Sequence, residues 1–284
     1  MDTELERQID RAAELMRGAR TVAITGAGIS TDAGIPDYRG SGGGEKPSVT
    51  YPMFVSDPVW QRWVWQRNQE TWEAMAAIRP TAGHLALARL EEAGLVNGVA
   101  TQNIDDLHRR AGSRNCFELH GSFARVVCTD CGEVTQRERL APRLARLNPN
   151  VVADPDPAHV AVLAEADRAA AERSRFVLAP CENCGGLLKP AVVFFEEALP
   201  SAAMDGAYAL ARQADVALVV GSSLLVMTGM YVVLEALHNG RGADGAGAKL
   251  IVINRGPTQA DQMANLKIEA DSDKVLTALA EKLL

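Results

Sequence analysis

No stretch of this 284-residue sequence is apolar enough to cross a bilayer. The longest greasy run, "VALVVGSSLLVM" at 216–227, is interrupted by Gly-Ser-Ser and falls short of the roughly 20 residues a spanning helix needs. The opening "MDTELERQID" is charged from its second residue and lacks the apolar centre of a secretion signal. Basic charge is not in surplus: 29 Lys and Arg stand against 36 Asp and Glu, a net charge of −7. That argues against nucleic acid as the main partner, because phosphate binding needs a clustered basic surface. Cysteine is sparse, five in all. The expected location is the cytoplasm, where paired cysteines indicate metal rather than disulfide. There is no internal repeat. What remains, 47% hydrophobic and 23% charged residues, describes a globular chain with a substantial core: one large domain with a smaller insert.

Residues 4–19 have helical periodicity and end near Gly18. "TVAIT" (21–25) is a β-branched run stopped by glycine and reads as a buried strand. A helix at 84–95 leads into a strand at 96–103, and strands at 214–223 and 248–256 flank a helix at 230–240. Apolar, non-alternating strands alternating with helices predict an α/β fold, a Rossmann-like doubly wound parallel sheet covered on both faces. Two segments break the alternation. Residues 48–80 hold all four tryptophans and are expected to form a helical insert. Residues 126–186 contain two cysteine pairs and are expected to form a small zinc-binding module, with a loop at 148–159 and a helix at 160–173. The sheet domain then takes 1–47, 81–125 and 187–284.

Cys128-x-x-Cys131 and Cys181-x-x-Cys184 supply four thiolates, the closed tetrahedral set of a structural zinc. Each pair is followed by a glycine, Gly132 or Gly185, which suits a tight knuckle. The alternative is a redox pair or free thiols. Cys116 is the odd one out and reads as a small buried hydrophobe.

"TVAITGAGISTDAGIPDYRG" (21–40) follows a strand, and Gly26 and Gly28 would let the backbone approach a pyrophosphate. The third glycine of the dinucleotide fingerprint is missing; Thr31 holds its place. A lone Gly-x-Gly is equally a tight turn. Pro36 prevents a simple continuing helix, so a long polar loop is expected to close over the ligand. Three further strand ends carry "TQNIDD" (101–106), "GSS" (221–223) and "INRG" (253–256). Ligands of doubly wound sheets bind at such ends, although Asx residues there also serve as turn formers.

"GAGIS…GIPDYRG", "TQNID", "LHG", the two cysteine pairs, "KPAVVFFEE", "GSSLLV" and "INRG" stand in the order found in sirtuins, the NAD-dependent protein deacylases. Over residues 20–272 the chain resembles that family, and most of all the class that includes the lipoamidase-type sirtuin and its bacterial relatives. The resemblance implies NAD and zinc as cofactors and an acyl-lysine protein or peptide as substrate. Gly26, Ala27 and Gly28 would lie against the NAD phosphates, and Asp37, Tyr38 and Arg39 in the cofactor loop. Gln102 and Asn103 would hold the nicotinamide ribose, and Ile104 and Asp105 the carboxamide. Gly221, Ser222, Ser223, Asn254, Arg255, Gly256 and Ser272 would take the phosphate and adenosine side. Val193, Phe194, Phe195 and Glu196 would face the peptide. His120 falls on the catalytic histidine, with Asn103 and Asp105 beside it. In the mechanism so implied, nicotinamide leaves and the acyl-lysine oxygen attacks the ribose carbon. His120 deprotonates a ribose hydroxyl, and water finally releases lysine and O-acyl-ADP-ribose. The other histidines, His84, His108, His159 and His238, read as structural.

The chain departs from the family pattern at Glu196, where Phe-Gly-Glu is usual, and at Ala191, where an acid is common. Trp63 and Gln66 stand where desuccinylating members carry Tyr-x-x-Arg, which points away from acidic acyl chains. Two other readings stay open: a mono-ADP-ribosyltransferase, and a non-enzymatic NAD-sensing module.

Overall fold

The computed structural model describes residues 3–36, 47–159, 164–242 and 247–284. In chain order, α1 (Thr3–Met16) precedes β1 (Thr21–Thr25); then come α2 (Tyr51–Ser56), α3 (Pro58–Ala77), α4 (Ala82–Glu92) and β2 (Val96–Thr101). The middle of the chain holds α5 (Leu107–Ala111), β3 (Cys116–Glu118), β4 (Gly121–Cys128), β5 (Val134–Gln136), α6 (Arg137–Leu147), α7 (Arg168–Arg173) and β6 (Leu188–Val192). The last part runs α8 (Ser201–Gln213), β7 (Val216–Val220), α9 (Met227–Asn239), β8 (Lys249–Ile253), β9 (Leu266–Ile268) and α10 (Ser272–Leu283).

Six strands form one sheet in the order β3-β2-β1-β7-β8-β9, every pair parallel. β1 and β7 are buried along their whole length, which is why their sequences do not alternate: both faces are covered. α1, α4 and α10 supply Ile9, Leu87 and Leu279 to the core on one face. α8 and α9 supply Leu210 and Val233 to the other. The chain runs outward from β1 to β3, then returns to the centre at β7 and runs out the other way. The order therefore reverses between β1 and β7, the crevice position of doubly wound sheets.

A second sheet, β5-β4-β6, is antiparallel and shares a core with α2, α3 and α6. α3 starts at Pro58, with the Asp57 carboxylate accepting from the Val59 N–H at 2.9 Å, an N-cap that satisfies one orphan donor. All four tryptophans pack in or against this core. Trp63 and Trp65 donate their indole N–H groups to the carbonyls of Glu165 and Leu188. The buried guanidinium of Arg137 lies 4.6 Å from the Trp72 ring, and burial without a carboxylate partner pushes it down to about 9.

Of the helix expected at 160–173, residues 160–163 lie outside the described residues, and among the described ones the helix spans Arg168–Arg173. Upstream of it the chain is extended: Glu165 bridges Ser48, and Val49 donates to Ala164 O at 2.9 Å. Asp167 then caps α7 by accepting from Ala170 N–H. The alanine-rich composition favours helix, but pairing with 47–49 outweighs that propensity. Among the described residues, no helix is long and apolar enough to cross a membrane.

Candidate active site

The loops leaving β1 and β7 interlock at the crevice. Gly28 N–H donates to Gly221 O at 2.8 Å and Gly26 N–H to Val220 O at 3.1 Å. A Cβ on Gly28 would lie 2.7 Å from Gly221 Cα, and one on Gly26 2.7 Å from Ser222 Cβ. Their first demand for glycine is therefore this loop-on-loop contact, a constraint that the Gly-x-Gly pattern by itself did not disclose.

The exit of β2 folds back under the β1 loop. Asn103 donates its amide to Gly26 O at 3.1 Å and to Ser30 Oγ at 3.0 Å. Ser30 in turn donates to Asp105 Oδ2 at 2.7 Å, while Leu107 N–H donates to Oδ1 at 2.9 Å. Burial raises the Asp105 carboxyl above its ordinary range, against the lowering effect of those two donors. Ile104 is buried beside it. Ser30 thus joins the two candidate residues Asn103 and Asp105. It lies inside the string "GAGIS", yet only the fold shows that its hydroxyl is the link.

His120 occupies the turn between β3 and β4, its carbonyl accepting from Val193 N–H at 2.8 Å. Its Nδ1 lies 2.8 Å from Gln102 O and its Nε2 2.7 Å from Thr228 Oγ1. Burial lowers its pKa, opposed by the Gln102 carbonyl. The ring is thereby held neutral near pH 7, the state in which imidazole accepts protons. Gln102 also reaches Ser222: the Ser222 hydroxyl donates to Oε1 at 2.8 Å. Thr228 was not legible as a site residue, because it follows "GSSLLVM" without any motif of its own.

The structure thus brings together Gly26, Ala27, Gly28, Gln102, Asn103, Ile104, Asp105, His120, Gly221 and Ser222. Ser223 continues that loop, with its carbonyl accepting from Gln259 N–H at 3.0 Å. Ser272, the first residue of α10, donates to Gly28 O at 3.2 Å. The group after β8 is bonded locally. Asn254 donates to the carbonyls of Arg255 and Gly256, as a turn former does, and Arg255 pairs with Asp271. Asp37, Tyr38 and Arg39 lie outside the described residues.

The segment after β6 passes below His120. Phe194 is buried edge-to-face against Phe54, and Phe195 is half exposed. Glu197 N–H donates to Phe194 O at 3.1 Å, closing a turn, and Tyr51 N–H donates to Phe195 O. Buried Lys189 donates to Glu197 Oε2 at 3.0 Å and locks the turn from beneath. Glu196, inside it, has φ +66°, the left-handed region that disfavours side chains. Elsewhere, Gln66 is bonded to Glu70 and Ser174, and Arg67 to Glu70.

The four sulfurs of Cys128, Cys131, Cys181 and Cys184 lie within 4.8 Å of one another, with Cys128–Cys184 at 3.5 Å and Cys131–Cys181 at 3.9 Å. A zinc–thiolate tetrahedron has S···S edges of about 3.8 Å, from bonds of about 2.3 Å, so the cluster fits that ion. Each knuckle closes through its glycine: Gly132 N–H donates to Cys128 O and Gly185 N–H to Cys181 O. Both glycines have positive φ, 74° and 79°. His120 is not in the cluster. Cys116 is buried in the main sheet, which pushes its thiol up to about 12.

A doubly wound sheet with a polar crevice at its switch point, a neutral histidine in that crevice and a four-thiolate module alongside defines a nucleotide-type α/β protein with a structural metal. Comparison with known proteins narrows this class. The Sir2 family model matches residues 26–228. The chain is 42% identical over 270 residues to NAD-dependent protein deacetylase 1 of Mycobacterium avium, covering 95% of this chain and 93% of the relative. It is 36% identical to the bovine mitochondrial lipoamidase sirtuin-4, covering 97% of this chain and 86% of that one. A solved Sir2 complex with a p53 peptide and NAD+ superposes with a TM-score of 0.73 at 30% identity, covering 96% and 98% of the two chains. The chain belongs to the Sir2 family.

Proposed function

We propose that this protein is an NAD-dependent protein lysine deacylase that releases nicotinamide, O-acyl-ADP-ribose and free lysine. The observation that carries the reading is the setting of His120. Gln102 O fixes a proton on Nδ1 and leaves Nε2 as the basic nitrogen, while the His120 carbonyl anchors the start of the candidate peptide segment at Val193. When bound, NAD supplies a labile bond from ribose to nicotinamide, and with it an electrophilic carbon. Asp105, held by Ser30 and Leu107, accepts from the carboxamide; Asn103 and Gln102 orient the ribose. The interlocked loops at Gly26–Gly28 and Gly221–Ser223 receive the phosphates, and Asn254–Gly256 and Ser272 the adenosine side. His120 Nε2 takes the proton of a ribose hydroxyl. Val193 to Glu196 align the peptide. Cys128, Cys131, Cys181 and Cys184 hold one zinc whose closed shell makes it structural.

Simple, uncharged acyl groups are the proposed substrates, since Gln66 and Arg67 are both engaged and offer no guanidinium to an acidic chain. A cytoplasmic site of action is part of the same reading, as thiolates kept for metal suit a reducing compartment. The test is incubation with NAD and a panel of acetyl-, propionyl-, lipoyl- and succinyl-lysine peptides, following nicotinamide, O-acyl-ADP-ribose and labelled protein. Stoichiometric nicotinamide and O-acyl-ADP-ribose are expected. ADP-ribosylated protein as the main product would select the transferase instead, and bound but unconsumed NAD a sensor.

A further inference from the structure

With the ring neutral, the hydrogen bonds around His120 have one consistent direction. Gln102 O can only accept, so Nδ1 carries the ring proton. Nε2 then bears the lone pair, and Thr228 Oγ1, 2.7 Å away, donates to it. Thr228 itself accepts from the Gln102 side-chain amide at 3.1 Å, which also donates to Val226 O at 2.9 Å. The other end of that amide, Oε1, accepts from Ser222 Oγ–H, and Ser222 Oγ accepts from Leu224 N–H at 3.1 Å. The circuit runs from Leu224 through Ser222, Gln102 and Thr228 to His120, and returns to the Gln102 backbone. It is built in: Thr228 is buried in the first turn of α9. The next residue, Gly229, makes room for the amide, since a Cβ there would lie 2.8 Å from Gln102 Oε1.

We propose that Thr228 is a positioning residue for His120, its hydroxyl occupying Nε2 in the free protein and yielding that nitrogen to the ribose hydroxyl when substrate binds. This rests on the deacylase reading for its catalytic consequence. Thr228 keeps the ring turned to the crevice and neutral, and it makes Nε2 a weaker base than a bare nitrogen, because a donated hydrogen bond stabilises the unprotonated form. On transfer, the ribose O–H proton moves to Nε2 and the ring becomes an imidazolium protonated on both nitrogens. Among the described residues, no charge on the surrounding elements supplies this control. Asp105 on the β2 exit is turned to Ser30 and Leu107, Glu197 after β6 is paired with Lys189, and Glu235 on α9 is paired with Arg212.

The test is the pH titration of His120 in ligand-free protein by 15N-edited NMR, in the wild type, Thr228→Val and Thr228→Ser, with the acid limb of kcat/KM measured alongside. Removing the donor should raise the His120 midpoint by about half to one pH unit, the equivalent of one ordinary hydrogen bond. The Nδ1–H tautomer should persist, the acid limb should move by the same amount, and Thr228→Ser should restore both. An unchanged midpoint in a folded Thr228→Val protein, or no restoration by serine, would overturn the proposal. If the midpoint moves as expected while wild-type protein makes no O-acyl-ADP-ribose, the deacylase reading fails and the hydrogen-bond assignment stands.

Discussion

Glu196→Gly should stabilise the protein slightly and tighten peptide binding without touching NAD. The turn from Phe194 to Glu197 closes through Glu197 N–H to Phe194 O, and its third residue, Glu196, sits at φ +66°. That is the turn geometry that wants glycine at the third position. An L-residue there costs roughly 1–2 kcal/mol, and glycine would return about 0.4–1 kcal/mol of that as unfolded-chain entropy. The net gain is therefore at most about 1.5 kcal/mol, which in a chain of this size means a rise in Tm of no more than a few degrees. The larger effect belongs to recognition. A glycine removes the carboxylate from the proposed peptide segment and lets that segment relax, so KM for acyl peptides should fall and KM for NAD should stay. Glu196→Ala separates backbone from charge: it removes the carboxylate but keeps the Cβ, and should be less stable than the glycine variant. Thermal melts and steady-state kinetics on the three proteins decide. An alanine variant as stable as glycine would refute the strain argument, and a peptide KM unmoved in both would refute the role in recognition.

Metal analysis of fresh protein should give one zinc per chain, and Cys181→Ser should cost the metal and soluble folding, because metal binding and folding are coupled; protein purified without zinc would contradict the site. The buried pair His84 and His108, with ring centroids 4.6 Å apart, should make the fold acid-sensitive. Burial lowers His84 to about 4 and His108 well below its ordinary value. Their stabilising contribution is therefore complete above pH 6.5 and is lost as pH falls through the folded-state values. For His84 the loss by pH 4 is about 3 kcal/mol, at 1.36 kcal/mol per pH unit. Urea midpoints at pH 7 and pH 4.5 should differ less in His84→Gln than in the wild type, and equal differences would exclude His84 as a cause.

The sheet was legible because buried parallel strands leave apolar runs, and 21–25, 216–220 and 249–253 fall where "TVAIT", "VALVV" and "KLIVI" stand. The knuckles were legible because Cys-x-x-Cys-Gly is local chemistry. What depends on partners distant in sequence was not. Residues 164–166 read as helix and are held extended by 47–49. Gly26 and Gly28 read as phosphate glycines, and the nearest claim on them comes from Gly221 and Ser222, almost two hundred residues away in sequence. Glu196 was visible as a departure from Phe-Gly-Glu, but its meaning came with the positive φ. Thr228 carried no signal, since its role exists only where α9 meets the β2 exit and His120.

The central claim is that His120 acts as a base after nicotinamide has left. His120→Ala removes the imidazole and leaves the network of Ser30, Asn103 and Asp105 in place. The decisive measurement compares exchange of labelled nicotinamide into NAD with formation of O-acyl-ADP-ribose in that variant, on the same acyl peptide. Product formation should fall on the order of a hundred- to ten thousand-fold, while exchange survives far better and zinc content is unchanged. Equal loss of exchange and product, or loss of the metal, would contradict it.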